Sequence, residues 1–304
     1  VSGSYDPGDL YLIRGLGRGR YEAPVSILDQ AGVPLVHHPE ELKKFRALDE
    51  KTQNDDDALR LRVASFGSWP AFVDWDADGD QDVVIGTFRG EIYLRTNVGG
   101  PRKPAWDPVA VRLDAAGAPL HVNGHAAPAA ADWDGDGRFD LVVGASDGSV
   151  QWFKNESERG APKFAAPRPL VPAKSKDKFF RRFAEVGAAP EPGVRAQIAV
   201  VDYDRDGALD LLVGDYADIL RIKKLSPKER SELDALIAAV EAVKARFATV
   251  GEDEKAHAAL SAEYDALQEK WKPFLVDPGQ DGVRASYVQL YRRNPATRPE
   301  TGGK

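Results

Sequence analysis

Apolar and polar positions along this 304-residue chain follow one order that recurs three times. A short apolar run leads into an acidic turn. A second, more strongly apolar run follows and ends in glycine. After another turn comes a third run in which apolar and polar residues alternate. The first runs are residues 69–73, 127–131 and 197–201, and the second are VVIG, LVVG and LLVG directly after Asp82, Asp140 and Asp210. The third runs include EIYLRTN at 91–97 and SVQWFKN at 149–155. Short runs rich in β-branched residues between turns predict strands, and alternation predicts strands with one face on a core. A fourth strand is expected after the third, for example at 108–113. Four antiparallel strands repeated radially predict an all-β fold, a β-propeller of four-stranded antiparallel blades.

The third-run pattern occurs twice more, at 9–15 and 286–294. Residues 1–5 then read as the tail of a second strand, so the first blade is expected to be partial. The last blade is expected to lack its outer strand, because 295–304 has no apolar alternation. A missing upstream segment or another chain is the expected donor that completes the propeller. The chain has no methionine, which is read as a processed N-terminus or a fragment.

Residues 226–272 switch to a helical period. Ser226-Pro-Lys-Glu229 reads as a capping box with proline at the first helical position. Leu233, Leu236, Ile237, Val240, Val243 and Phe247 recur at helical spacing, and Gly251 is the expected stop. Leu260, Tyr264, Leu267 and Trp271 mark a second helix before Pro273. The domain reading is therefore blades over 1–225, a helical hairpin inserted in the last blade over 226–272, a return strand within 273–294, and a tail over 295–304. Each helix has one apolar stripe, enough to join the pair, so the hairpin is expected to project from its base near Leu225 and Phe274. A shorter insertion at 37–62 holds a helix over 39–48 and an acidic solvated loop at 55–57.

The acidic turns carry the chemistry. They align as Asp74-Trp-Asp-Ala-Asp-Gly-Asp-Gln-Asp82, Asp132-Trp-Asp-Gly-Asp-Gly-Arg-Phe-Asp140 and Asp202-Tyr-Asp-Arg-Asp-Gly-Ala-Leu-Asp210. Aspartates at positions one, three and five gather carboxylates around one point. Glycine at position six permits the sharp turn, the carbonyl of position seven adds an oxygen, and the aspartate at position nine closes the site. Many oxygen ligands in a flexible loop suit calcium better than magnesium or a softer metal. An EF-hand would need glutamate at position twelve, where this chain has Ile85, Val143 and Val213.

These three motifs resemble the FG-GAP/VCBS repeat of integrin α-subunit head propellers and secreted bacterial propellers, over roughly 1–225 and 283–294. The resemblance implies three calcium sites in the hairpins between the first and second strands. The implied side-chain ligands are Asp74, Asp76, Asp78 and Asp82; Asp132, Asp134, Asp136 and Asp140; and Asp202, Asp204, Asp206 and Asp210. Backbone carbonyls would come from Asp80, Arg138 and Ala208. Related bacterial chains imply five blades in a complete propeller.

Composition narrows the function. A formal net charge of −7 argues against a nucleic-acid partner, and no apolar run is long enough to span a membrane. The absence of cysteine excludes disulfides, thiolate catalysis and cysteine–zinc sites. Gly144-Ala-Ser146-Asp-Gly148 matches a nucleophile motif but lies between strands, where the motif needs a strand-to-helix turn. His121 and His125 lie in a glycine-containing loop without a carboxylate in zinc spacing. Residues 174–183 mix basic and aromatic residues and read as an inter-blade loop. The expectation is a non-enzymatic, calcium-stabilised binding or scaffold module, extracellular, periplasmic or on the cell surface. Its protein partner would dock on the 226–272 hairpin. The alternative is a carbohydrate-active propeller, a lectin or a polysaccharide lyase.

Overall fold

The computed structural model describes residues 1–293 apart from 50, 55, 158–160, 176–180, 190, 248, 252, 280 and 281. The predicted tail at 295–304 lies outside the described residues, as does Asp55 of the acidic loop. The chain forms two compact units, one of Val1–Lys178, Pro192–Tyr216 and Tyr287–Lys304, the other of Phe179–Glu191 and Ala217–Ser286.

Among the described residues, four antiparallel sheets of three or more strands succeed one another in the first unit, beside two short two-stranded ones. The first has the strands Ser2–Gly3, Leu10–Leu12 and Val25–Ser26 in that order. The second is Ser68–Val73, Asp82–Thr87, Ile92–Arg95 and Val111–Arg112, and the third is Ala127–Ala131, Asp140–Gly144, Val150–Phe153 and Arg168–Val171. The fourth pairs Val194–Val201 with the start of Asp210–Ile222, which also pairs with Val288–Tyr291. The second and third sheets thus have the four strands expected, whereas the first and fourth have three. The chain is strand-rich with few helices, and no closed sheet occurs among the described residues.

The continuous apolar second strands have a packing reason. Side chains alternate between the two faces of a strand. Val84 belongs to the core shared with Leu141 and Val143 of the third sheet, while Val83 and Ile85 pack with Leu10 of the first. Val142 points the other way, into a core with Ala196, Leu211 and Val213 of the fourth sheet. A strand covered on both faces needs apolar residues at every position.

Arg95 is fully buried among these residues. Its guanidinium donates to Asp29 Oδ2 at 3.0 Å, to the Val36 carbonyl at 2.7 Å and to the Asp107 carbonyl at 2.8 Å. Asp29 Oδ1 in turn accepts the N–H groups of Ala31 and Val33 at 2.9 and 3.0 Å. A buried charge is tolerable when its donors are satisfied in this way.

Helix α1 (Pro39–Arg46) agrees with the expected helix at 39–48. The acidic stretch departs from expectation: the backbone of Asp56 starts a second helix, α2 (Asp56–Ala64), rather than a loop. Acidic residues are favoured in a first helical turn, near the positive end of the helix dipole, so the same pattern is compatible with both outcomes.

The second unit is built around helices α3 (Pro227–Phe247) and α4 (Glu254–Trp271). The capping box forms. Ser226 N–H donates to the Glu229 carboxylate at 2.7 Å, and Glu229 N–H donates to Ser226 Oγ at 3.3 Å. Asp253 caps α4 by accepting the N–H groups of Lys255 and Ala256, both at 3.0 Å. Helix α3 ends before Gly251, which has φ of +57°. The unit is larger than two zipped helices. It includes a mixed sheet in which Arg181–Glu185 runs parallel to 218–222 and Val283–Ala285 runs antiparallel to 217–219. Leu233, Val240 and Trp271 share one core with Leu220, Ile222, Leu275 and Phe183. The apolar stripes therefore cover this sheet as well as joining each other. The sequence pattern revealed the stripes but not the sheet, because 181–185 lies far from the helices along the chain.

Candidate metal centres

Each acidic stretch is the turn of a hairpin between the first two strands of its sheet. Val73 pairs with Asp82, Ala131 with Asp140 and Val201 with Asp210, which leaves the intervening residues as the loop. The three loops share one hydrogen-bond skeleton. The first aspartate accepts the N–H groups of positions five and six: Asp74 from Asp78 and Gly79 (both 3.1 Å), Asp132 from Asp136 and Gly137 (2.9 and 3.0 Å), Asp202 from Asp206 and Gly207 (3.0 and 3.1 Å). The aspartate at position five accepts the N–H of position seven, at 3.0 Å for Asp80, 3.1 Å for Arg138 and 2.8 Å for Ala208. Positive φ is needed at position six, where Gly79, Gly137 and Gly207 have 94°, 85° and 84°. Glycine adopts that region without the strain a Cβ would impose.

This skeleton brings three carboxylates together in every loop: Asp74, Asp76 and Asp78; Asp132, Asp134 and Asp136; Asp202, Asp204 and Asp206. Within each trio one oxygen per residue lies within 4.8 Å of the others. The donor set is oxygen only. In addition, Asp80 Oδ1 and Asp134 Oδ1 are buried without a hydrogen-bond partner. Buried carboxylate oxygens without partners are costly, and a hard cation satisfies them. The residues present therefore fit a metal ion of the calcium type.

The ninth-position aspartates are not members of the trios and are nearly inaccessible. Asp82 accepts Trp75 N–H at 3.1 Å and Asn97 N–H at 2.8 Å. Asp140 accepts Asn155 N–H at 2.7 Å and Trp152 Nε1–H at 3.0 Å, and Asp210 accepts Tyr203 N–H at 3.1 Å and Arg293 N–H at 2.8 Å. These carboxylates tie the loop to the end of the third strand. Burial pushes Asp82 and Asp140 up to about 6. Asp80 is likewise raised by burial and by the charges of Asp78, Asp76 and Asp74.

Cations approach two of the loops. Lys154 Nζ contacts Asp134 and donates to Asp136 at 2.8 Å, and Arg138 also contacts Asp136. Arg292 lies 3.7 Å from Asp204. For Lys154, burial alone would lower the pKa, but the bonds to Asp134 and Asp136 outweigh it and raise it. Sequence reasoning placed Lys154 on a strand and missed this contact. The signal was present in the register: Leu141 pairs with Phe153, so the next residue falls beside Asp140 and its loop.

Among the described residues no helix is long and apolar enough to cross a membrane. A comparison with curated proteins finds no match. The family model described as the FG-GAP-like repeat matches twice, over residues 74–143 and 132–213. Each match runs from the first aspartate of one loop into the strand that follows the next loop. Over residues 74–213 this chain is similar to the FG-GAP-like repeat.

Proposed function

We propose that this chain is part of a calcium-stabilised β-propeller that serves as a non-enzymatic binding or scaffold module outside the cytoplasm. The observation that carries the reading is the threefold recurrence of one aspartate trio on one hydrogen-bond skeleton. Calcium accepts six to eight oxygen ligands in flexible geometry, and extracellular modules use weak sites because calcium is abundant there. The stacked four-stranded sheets have the strand order of propeller blades.

Among the described residues Val288–Tyr291 pairs on one side only, with the start of Asp210–Ile222, and its other edge suits a further strand from another segment or another chain. Exposed strand edges invite such pairing. The charged outer faces of α3 and α4 suit a protein partner. The formal charge of −7 favours neither nucleic acid nor an anionic surface.

The test is calorimetric titration of the intact chain with calcium, paired with thermal melting in calcium and in chelator. Calcium at a hundredfold excess over Kd adds about 2.7 kcal/mol per site to folding stability. No binding at millimolar calcium, with identical melting curves, would sink the reading.

A further inference from the structure

The three loops share a skeleton but differ in charge. In the first, position seven is Asp80, which is 4% exposed and has one carboxylate oxygen without a partner. The second has Arg138 at that position and the third Ala208. A second difference comes from the third strand. The residue whose N–H clamps the aspartate at position nine is Asn97, Asn155 or Arg293. Just before it stand Thr96, Lys154 and Arg292. Thr96 is uncharged. Lys154 reaches into the second trio and contacts two of its three aspartates, and Arg138 adds a contact to Asp136. Arg292 stays more distant from Asp204, at 3.7 Å, and its side chain is mostly exposed.

We propose that the three sites are graded in calcium affinity, with the loop 74–82 the tightest, 202–210 intermediate and 132–140 the weakest, because Lys154 and Arg138 are built-in counter-cations that calcium must displace. The proposal rests on the calcium reading above. Charge-assisted hydrogen bonds are the strong ones, and a metal entering the second loop must break those from Lys154 and Arg138 to Asp136. The unpartnered Oδ1 of Asp134 keeps the second loop a site, but a weakened one. The exposed Arg292 pair is a minor term, as solvated ion pairs are. In the first loop Asp80 adds a carboxylate where the other two have none. Affinity in such loops follows the charge of the ligand set. The second loop is then the one whose occupancy tracks the calcium level while the first stays filled.

Calcium titration by calorimetry separates the alternatives. Wild-type chain should show unequal steps, the weakest separated from the tightest by about tenfold or more, in line with the span that ligand charge produces. Lys154→Thr, which places the residue of the first repeat in the second, should tighten only the weakest step. Lys154→Arg should leave it weak. Asp80→Asn should loosen only the tightest step, an independent check should Lys154→Thr not fold. Three equal sites, or a Lys154→Thr chain with unchanged stepwise constants, would overturn the grading while leaving calcium binding intact. No calcium uptake by any loop would overturn both.

Discussion

Gly144 lies against the Ala196 carbonyl of the next sheet so closely that a Cβ added at 144 would sit 2.3 Å from that oxygen. The same contact recurs around the array. A Cβ at Gly86 would meet the Ala126 carbonyl oxygen at 2.0 Å, and one at Gly3 would meet that of Ser68 at 1.9 Å. In the first three sheets a glycine at or next to the end of the second strand is therefore the point where one sheet's backbone touches the start of the next sheet. Gly214 holds the same place in the fourth sheet, yet its nearest neighbour is Gln197 of its own sheet, at 3.6 Å.

Alanine at these glycines should give opposite results. Gly86→Ala and Gly144→Ala force two backbones apart and should cost about 1–3 kcal/mol or more, the usual range for overpacking. Gly214→Ala should change stability little in the isolated chain. Urea midpoints of the three variants check this. Equal losses at all three would mean that the face at Gly214 is covered as the others are.

Asp29→Ala should destabilise the first unit by about 3–5 kcal/mol, because it leaves the buried Arg95 charge unpaired. Adding Arg95→Leu should recover part of the loss by removing that charge. Denaturant unfolding of the single and double variants decides. A double variant no more stable than Asp29→Ala alone would place the cost in the lost turn bonds to Ala31 and Val33 instead.

His37 gives an acid dependence. Burial, with the adjacent His38 and Arg89 charges, pushes its pKa down to about 3, against the Ala64 carbonyl that bonds Nε2 at 3.0 Å. In the unfolded chain it titrates at its ordinary 6.5. The folded pKa is the lower one, so the unfolded state takes up the proton first. The stability His37 preserves is fully present above pH 6.5 and is lost as pH falls toward 3. The slope is about 1.4 kcal/mol per pH unit within that window. His37→Gln should flatten this part of the stability profile, measured as urea midpoint against pH. An unchanged slope would assign the acid sensitivity to other groups.

Removing residues 226–272 behind a short glycine linker should strip the cover from Leu220, Ile222 and Leu275. The second unit should then lose its cooperative unfolding and bind a hydrophobic dye. Leu233→Ala is the milder form. Leu233 is fully buried, so its truncation should cost about 2–5 kcal/mol in that unit. A deletion chain that still unfolds cooperatively at the wild-type urea midpoint and binds no dye would restore the picture of a free-standing arm.

The loops and most strands were legible in the sequence because their causes are local. Aspartates at odd positions with glycine at the sixth make a turn whose hydrogen bonds run within nine residues. Strand 127–131 was read at its observed limits, and 69–73 and 197–201 lie inside Ser68–Val73 and Val194–Val201, since turn residues bound them. The capping box at Ser226 and the helical stripes are local signals of the same kind. What remained hidden depends on residues distant in the chain. The parallel pairing of 181–185 with 218–222 and the burial of Arg95 over Asp29 both follow from what tertiary packing covers. The contacts at Lys154 divide the two cases most plainly. The sequence by itself determined three acidic turns of one pattern that differ at position seven. Only the pairing of second and third strands, Val83 with Arg95, Leu141 with Phe153 and Leu211 with Tyr291, decided that Thr96, Lys154 and Arg292 stand beside the loops, so that the second receives an ammonium group, because strand pairing joins residues that lie apart in the chain.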